Sequence, residues 1–215
     1  MTFTDRLPLT RQRVADAALA FIDEHGLDGL SMRKLGAELG VEAMSLYNHV
    51  TNKADLLGAV AERLFQDVLD AYGEPSGDWK VHARALCHAY VDVAAAHPLA
   101  VSLLITPTNG SQSAHEFDQR IVGAARRFSD DDRIGALAFA TVSNWVIGTI
   151  VQQHGLMGPA VIREPAAADA ETDDELICFQ RAAEQLSADE RFDEGLEVVL
   201  AGLEARYFDA PPSSE

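Results

Sequence analysis

The run SMRKLGAELGVEAMSLYNHVTNK, from Ser31 to Lys53, constrains the fold more than any other part of the chain. Ser31 is placed to cap a helix, with Leu30 and Leu35 set as a hydrophobic staple across its start. Gly40 ends that helix within ten residues. A second helix, expected over Glu42–His49, is too short and too polar to hold itself up in water. It buries Leu46 and Val50 while Met44, Tyr47 and His49 are left on its outer face. Two short helices across a glycine turn, steadied by a third, form the helix-turn-helix arrangement. There the first helix braces on the phosphate backbone and the second enters the major groove.

The supporting helix lies just upstream. Val14, Ala17, Ala18, Phe21 and Ile22 fall at i, i+3, i+4, i+7 and i+8, with Thr10 as cap and Gly26 as stop. Downstream, Asn52 and Asp55 open a longer helix carrying Leu56, Leu57, Val60, Leu64, Val68 and Leu69, and YGEPSGD at 72–78 breaks it. Helical patterns continue over Trp79–His97, a short apolar segment to Ile105, Ala114–Phe128 and Ile134–His154. Two capping boxes, Thr172-x-x-Glu175 and Ser187-x-x-Glu190, mark the last two helices. No strand pattern is found, so the expected fold is all-α, with about ten helices.

Charge divides the chain. Its net charge of −17 would argue against a nucleic-acid partner if it were evenly spread. Residues 1–53, however, hold Arg6, Arg11, Arg13, Arg33, Lys34 and Lys53 against a nearly equal acidic count, so the acid excess lies in the body. Two jobs are implied: a head over 1–53, a connecting helix over 53–72, and a larger domain over 73–215. Cys87 and Cys178 stand apart with no C-x-x-C, which predicts buried thiols rather than a zinc site or disulfide framework. No apolar run reads as a membrane span, and MTFTDRLPLT lacks a signal-peptide core, so a cytoplasmic location and no membrane partner are expected.

The run RVADAALAFIDEHGLDGLSMRKLGAELGVEAMSLYNHVTNKADLL resembles the DNA-binding domain of the tetracycline-repressor (TetR) family. The matching features are the first-helix stripe, G-L-x-G-L-S-x-R-K-L, L-G-V, S-L-Y-x-H-V and N-K-x-x-L-L, over about 55 residues. The resemblance implies a helical repressor whose larger domain binds a small molecule and forms a two-fold dimer on double-stranded operator DNA. It places the DNA contacts on Arg33, Met44, Ser45, Tyr47, His49 and Lys53. Where the tetracycline repressors read bases with Gln-Pro, this chain has Ala43-Met44, and Ala43 cannot make the bidentate adenine contact of a Gln.

The resemblance continues more faintly in FSDDDRIGALAFATVSNWVIGTIVQQHG at 128–155. In the tetracycline repressors themselves a His and a Glu help to hold a magnesium–drug chelate, and the resemblance puts the His position on Leu104 or a close neighbour and the Glu position on Gln152. Neither suits a hard cation, so no metal and no cofactor are expected, and the implied effector is a small organic molecule. Tyr90, Leu104, Phe117, Gln119, Asn144 and Gln152 are the implied ligand residues, an apolar and aromatic wall with a few fixed polar groups. No nucleophile elbow or catalytic grouping has sequence context, so no enzyme activity is expected. The rival reading is an all-helical carrier or enzyme in which the first three helices are only a packing module.

Overall fold

The computed structural model describes residues 8–73, 75–105, 119, 122–123, 125–156 and 185–207. Among them are eight α-helices, a short 3-10 turn at Leu27–Gly29 and no strand, an all-helical chain as expected. The helices are α1 Arg11–His25, α2 Met32–Leu39, α3 Ala43–Leu46, α4 Lys53–Tyr72, α5 Trp79–Ala96, α6 Val101–Leu104, α7 Asp132–Gln153 and α8 Ala188–Tyr207. They fall in two compact units, residues 1–130 and 131–215.

In the first unit, α4 is the shared wall. α1 packs on it from one side, α5 and α6 from another, and α2 and α3 pack on each other beside α1. The α1 stripe is buried through Val14, Ala15, Ala18, Leu19, Phe21 and Ile22. Leu56, Val60, Leu64, Val68 and Leu69 of α4 are buried as well. The caps are those the sequence specified. Thr10 accepts from Arg13 N–H, Ser31 from Lys34 N–H and Asn52 from Asp55 N–H. Gly40 and Gly73 close α2 and α4 in the left-handed conformation, at φ of 64° and 60°. A Cβ disfavours that region.

One boundary differs. The second short helix was expected to reach His49, but its α-helical part ends at Leu46. Beyond it the chain tightens, with Tyr47, Asn48 and His49 N–H donating to carbonyls three residues back. Such i→i+3 turns are a common way to satisfy the carbonyls of a helix end.

In the second unit, α7 packs on α8. Ala138, Val146 and Ile150 are buried on α7, and Phe192, Leu196, Leu200 and Leu203 on α8. Ser187 and Glu190 form the reciprocal capping box: Ser187 N–H donates to Glu190 Oε2 at 2.8 Å, and Glu190 N–H to Ser187 Oγ at 3.1 Å. The Trp145 indole lies over Gly195, where an added Cβ would sit 2.1 Å from a ring carbon. By length and composition alone α7 could cross a bilayer, although Thr141, Ser143 and Asn144 interrupt its apolar run. The 114–128 helix is described only in part, and the expected helix opening at Thr172, with Cys178, lies outside the described residues.

Candidate nucleic-acid interface

Gly36 sets how closely α3 lies against α2. A Cβ there would stand 2.9 Å from the Val41 carbonyl oxygen and 3.2 Å from Ala43 Cα, so any larger residue pushes the second helix away. Leu46 and Val50, at 0% and 1% exposure, anchor α3 and its trailing turn from below. That anchoring forces the opposite side outward: Met44 is 74% exposed and Tyr47 44%. Such exposure of two large apolar-bodied side chains on one short helix lowers its solubility in water and favours contact with a surface. Ser45 and His49 are half-buried beside them, on the same short segment.

The segment after α3 is clamped from α1. Arg11 Nη2 lies 2.7 Å from Asp55 Oδ1, and Arg11 Nη1 donates to the His49 carbonyl at 3.4 Å. Asp55 also accepts from Thr51 N–H at 2.7 Å and from its hydroxyl at 3.1 Å. The Arg11 guanidinium and then the Thr51 N–H hold the Asp55 carboxyl down at about 2. Arg11 is therefore committed inside the protein, and its charge is not spare for phosphate.

The remaining cations differ in commitment. Lys53 Nζ donates to the Leu30 carbonyl at 2.8 Å and Lys34 Nζ to the Gly29 carbonyl at 3.0 Å. Arg33 is exposed and, among the described residues, makes no hydrogen bond or ion pair. The sequence-derived DNA residues Arg33, Met44, Ser45, Tyr47, His49 and Lys53 thus fall on α2, on α3 with its trailing turn, and at the first residue of α4. The clamp residues Arg11 and Asp55 and the close-packing Gly36 escaped the sequence reading. A glycine inside a helical pattern is the signal that marks Gly36 as a point of close backbone approach.

The ligand residues inferred from sequence are divided between the units. Tyr90 is half-buried and meets Phe65 edge-on at 6.5 Å between centroids, and Leu104 is buried on α6. Gln119 is exposed in the same unit, while Asn144 and Gln152 are exposed along α7 in the other. Phe117 lies outside the described residues. Cys87 is buried, and that burial pushes its thiol up to about 12, making it an inert core residue. His82 is buried with its ring nitrogen 2.5 Å from the Tyr72 hydroxyl. Among the described residues no three His, Cys, Asp or Glu side chains gather as a metal site.

Comparison with known proteins decides the family. The model for "Bacterial regulatory proteins, tetR family" matches residues 14–60, and that for "Tetracyclin repressor-like, C-terminal domain" matches residues 73–207. The chain belongs to the TetR family. Its members are DNA-binding transcriptional regulators and not enzymes. Among TetR-family relatives, the chain is 30% identical over 206 residues to the tetracycline repressor protein class D of Escherichia coli, covering 92% of this chain and 90% of that one. It is 26% identical over 195 residues to the class A repressor of transposon 1721, also from Escherichia coli, covering 90% and 89%. Among solved TetR structures, it is similar to Streptomyces coelicolor ActR in complex with actinorhodin, at a TM-score of 0.76 and 27% identity over 94% of this chain and 100% of that one.

Proposed function

We propose that this regulator is a repressor, released from its operator by a small organic effector and acting as a homodimer in the cytoplasm. The observation that carries the DNA contact set is the outward face of α3. Met44 and Tyr47 are exposed while Leu46 and Val50 fix the helix from behind. In this reading Met44 meets a thymine methyl, and Tyr47, Ser45 and His49 reach phosphates. Arg33 and Lys53 neutralise phosphate charge from either flank. The head covers 1–53, the connecting helix 53–72, and the effector and dimer domain 73–215.

Repression is supported by the relatives named as repressors, and an organic effector by the ActR complex with actinorhodin. Tyr90, Leu104, Phe117, Gln119, Asn144 and Gln152 form the effector set. Leu104 has no donor atom and Gln152 only a neutral amide oxygen, a poor substitute for a His and a carboxylate at a hard cation, so in this reading the effector acts without a metal. Dimerisation is supported by apolar side chains left exposed in the second unit: Leu137 at 51% and Ile147 at 38% on α7, and Val198 at 71% on α8. Two copies related by a two-fold axis can cover such faces in a four-helix interface.

A two-fold pair places its heads in successive major grooves about 34 Å apart, so an effector that favours another head separation lowers operator affinity. Calorimetric titration with tetracycline, with and without magnesium, tests the effector chemistry. No magnesium-dependent tight binding is expected. Tight binding that vanishes when the metal is chelated would contradict the metal-free site.

A further inference from the structure

Between α1, α4 and α5 runs an open cleft of about 700 Å³, lined on α1 by Asp16, Leu19 and Asp23, and on α5 by Asp92, Val93 and His97. Arg63 of α4, also in its wall, ties to α1 through Asp16 at 2.9 Å and to its own helix through Asp67. Across the cleft, one polar tie joins α1 to α5 among the described residues that line it. His97 Nδ1 lies 2.8 Å from Asp23 Oδ2. Both side chains are largely covered, at 22% and 30% exposure, and the other carboxylate oxygen, Asp23 Oδ1, is buried with no hydrogen-bond partner among the described residues. Among the described residues His97 is the polar partner of the Asp23 carboxylate, and separating the two strands a covered carboxylate.

The position of each residue matters. Asp23 sits in the last turn of α1, the helix whose Arg11 clamps the turn behind α3. His97 is the C-cap of α5. From there the chain turns directly into α6, with Ala100 N–H donating to the His97 carbonyl at 3.0 Å and Leu103 N–H to the Ala100 carbonyl at 2.9 Å. Leu104, at the end of α6, belongs to the proposed effector set. These turns tie His97 to the start of α6.

We propose that His97 and Asp23 are a positioning pair: the contact fixes α1, and with it the DNA-reading helices, relative to the end of α5. With the pair intact, less orientational freedom remains to be lost when two heads dock together on an operator. With it broken, α1 loses its polar tie to the end of α5, and its packing on α4 remains. Neither residue touches DNA in this account.

The inference rests on the operator-binding reading above, and the experiment separates the two. A duplex is selected from a random library with the unaltered full-length protein, and its affinity is then measured by fluorescence anisotropy at fixed salt. Asp23→Ala and His97→Ala should each weaken binding, on the order of tenfold. The double variant should lose no more than either single one, since both break the same contact. The exchange of the two residues, Asp23→His with His97→Asp, should recover most of the affinity, which a generally damaged fold would not do. Circular dichroism identifies any single variant that fails to fold, in which case the exchanged pair carries the test. Additive losses, unchanged affinity in the single variants, or an exchanged pair that folds and stays weak would overturn the proposal. Failure of the unaltered protein to select any sequence would remove the operator reading and this inference with it.

Discussion

Lys53 Nζ donates to the Leu30 carbonyl at 2.8 Å, joining the first turn of α4 to the residue before the α2 cap. Lys53 therefore has two duties in this account: it holds the head together and it faces phosphate. Lys53→Ala should cost about 0.5–1.5 kcal/mol of stability as well as operator affinity. Tyr47, 44% exposed, makes no such side-chain hydrogen bond among the described residues. Tyr47→Ala should leave thermal stability within about 0.5 kcal/mol and still weaken operator binding. Paired melting and anisotropy measurements distinguish the two residues, and equal melting losses would sink the distinction.

Met44 and Arg33 should separate base reading from charge. Met44→Gln exchanges a side chain suited to a thymine methyl for one that can pair with adenine, so selection should return a shifted consensus. An unchanged consensus would show that Met44 touches no base. Arg33→Ala should weaken binding to all sequences alike and flatten the dependence of log affinity on log salt by about two units, roughly one from each copy in the dimer. A salt slope that does not change would place Arg33 away from the phosphates.

Acid should loosen the head through Asp55. Its folded-state pKa is lowered from 3.8 to about 2, first by Arg11 and then by Thr51. A lowered carboxylate contributes stability that is present above the unfolded value and lost as pH falls through the folded one. The Arg11–Asp55 contribution should accordingly disappear between about pH 4 and about pH 2. Far-ultraviolet circular dichroism of the Asp55→Asn variant should show a shallower acid dependence in that window than the unaltered protein. Parallel curves would mean that the clamp is thermodynamically silent. Glu190 is lowered as well, by Ser187, but in the other unit, so the variant leaves its contribution in place.

Assembly should depend on Gly195. A Cβ there would sit 2.1 Å from the Trp145 ring, so Gly195→Ala forces α7 and α8 apart and disturbs the face on which a second copy would rest. Sedimentation should show a dimer for the unaltered protein and a weaker one for Gly195→Ala. Combining Gly195→Ala with Trp145→Leu makes room for the methyl group and should restore part of the association. A dimer of unchanged strength in Gly195→Ala would show that the α7–α8 spacing does not govern the interface.

Much of the head was legible because its signals are local. Thr10, Ser31 and Asn52 cap within three residues of themselves, and Gly40 closes a turn by its own backbone freedom. What escaped depends on partners far along the chain. The Arg11–Asp55 pair spans 44 residues and His97–Asp23 spans 74, and no periodicity announces either. On α8 Phe192, Leu196, Leu200 and Leu203 are buried and Val199 is half-buried. A helical stripe is wide enough to admit either neighbour, and the rotation is set by the helix it packs against. The effector set was drawn from resemblance rather than chemistry. Tyr90, Leu104 and Asn144 carry ordinary core or surface side chains, and nothing in their spacing distinguishes a pocket wall from packing.

The central claim, that the outer face of α3 reads DNA, is tested most directly by titrating the protein onto duplex DNA from upstream of its own coding sequence at several salt concentrations. The account predicts saturable, sequence-selective binding that weakens steeply as salt rises, because Arg33, Lys53 and their two-fold mates displace counterions from phosphate. It also predicts that Tyr47→Ala binds the same duplex more weakly at every salt concentration. Binding that is equally strong to unrelated duplexes, or that is unchanged in Tyr47→Ala, would contradict it.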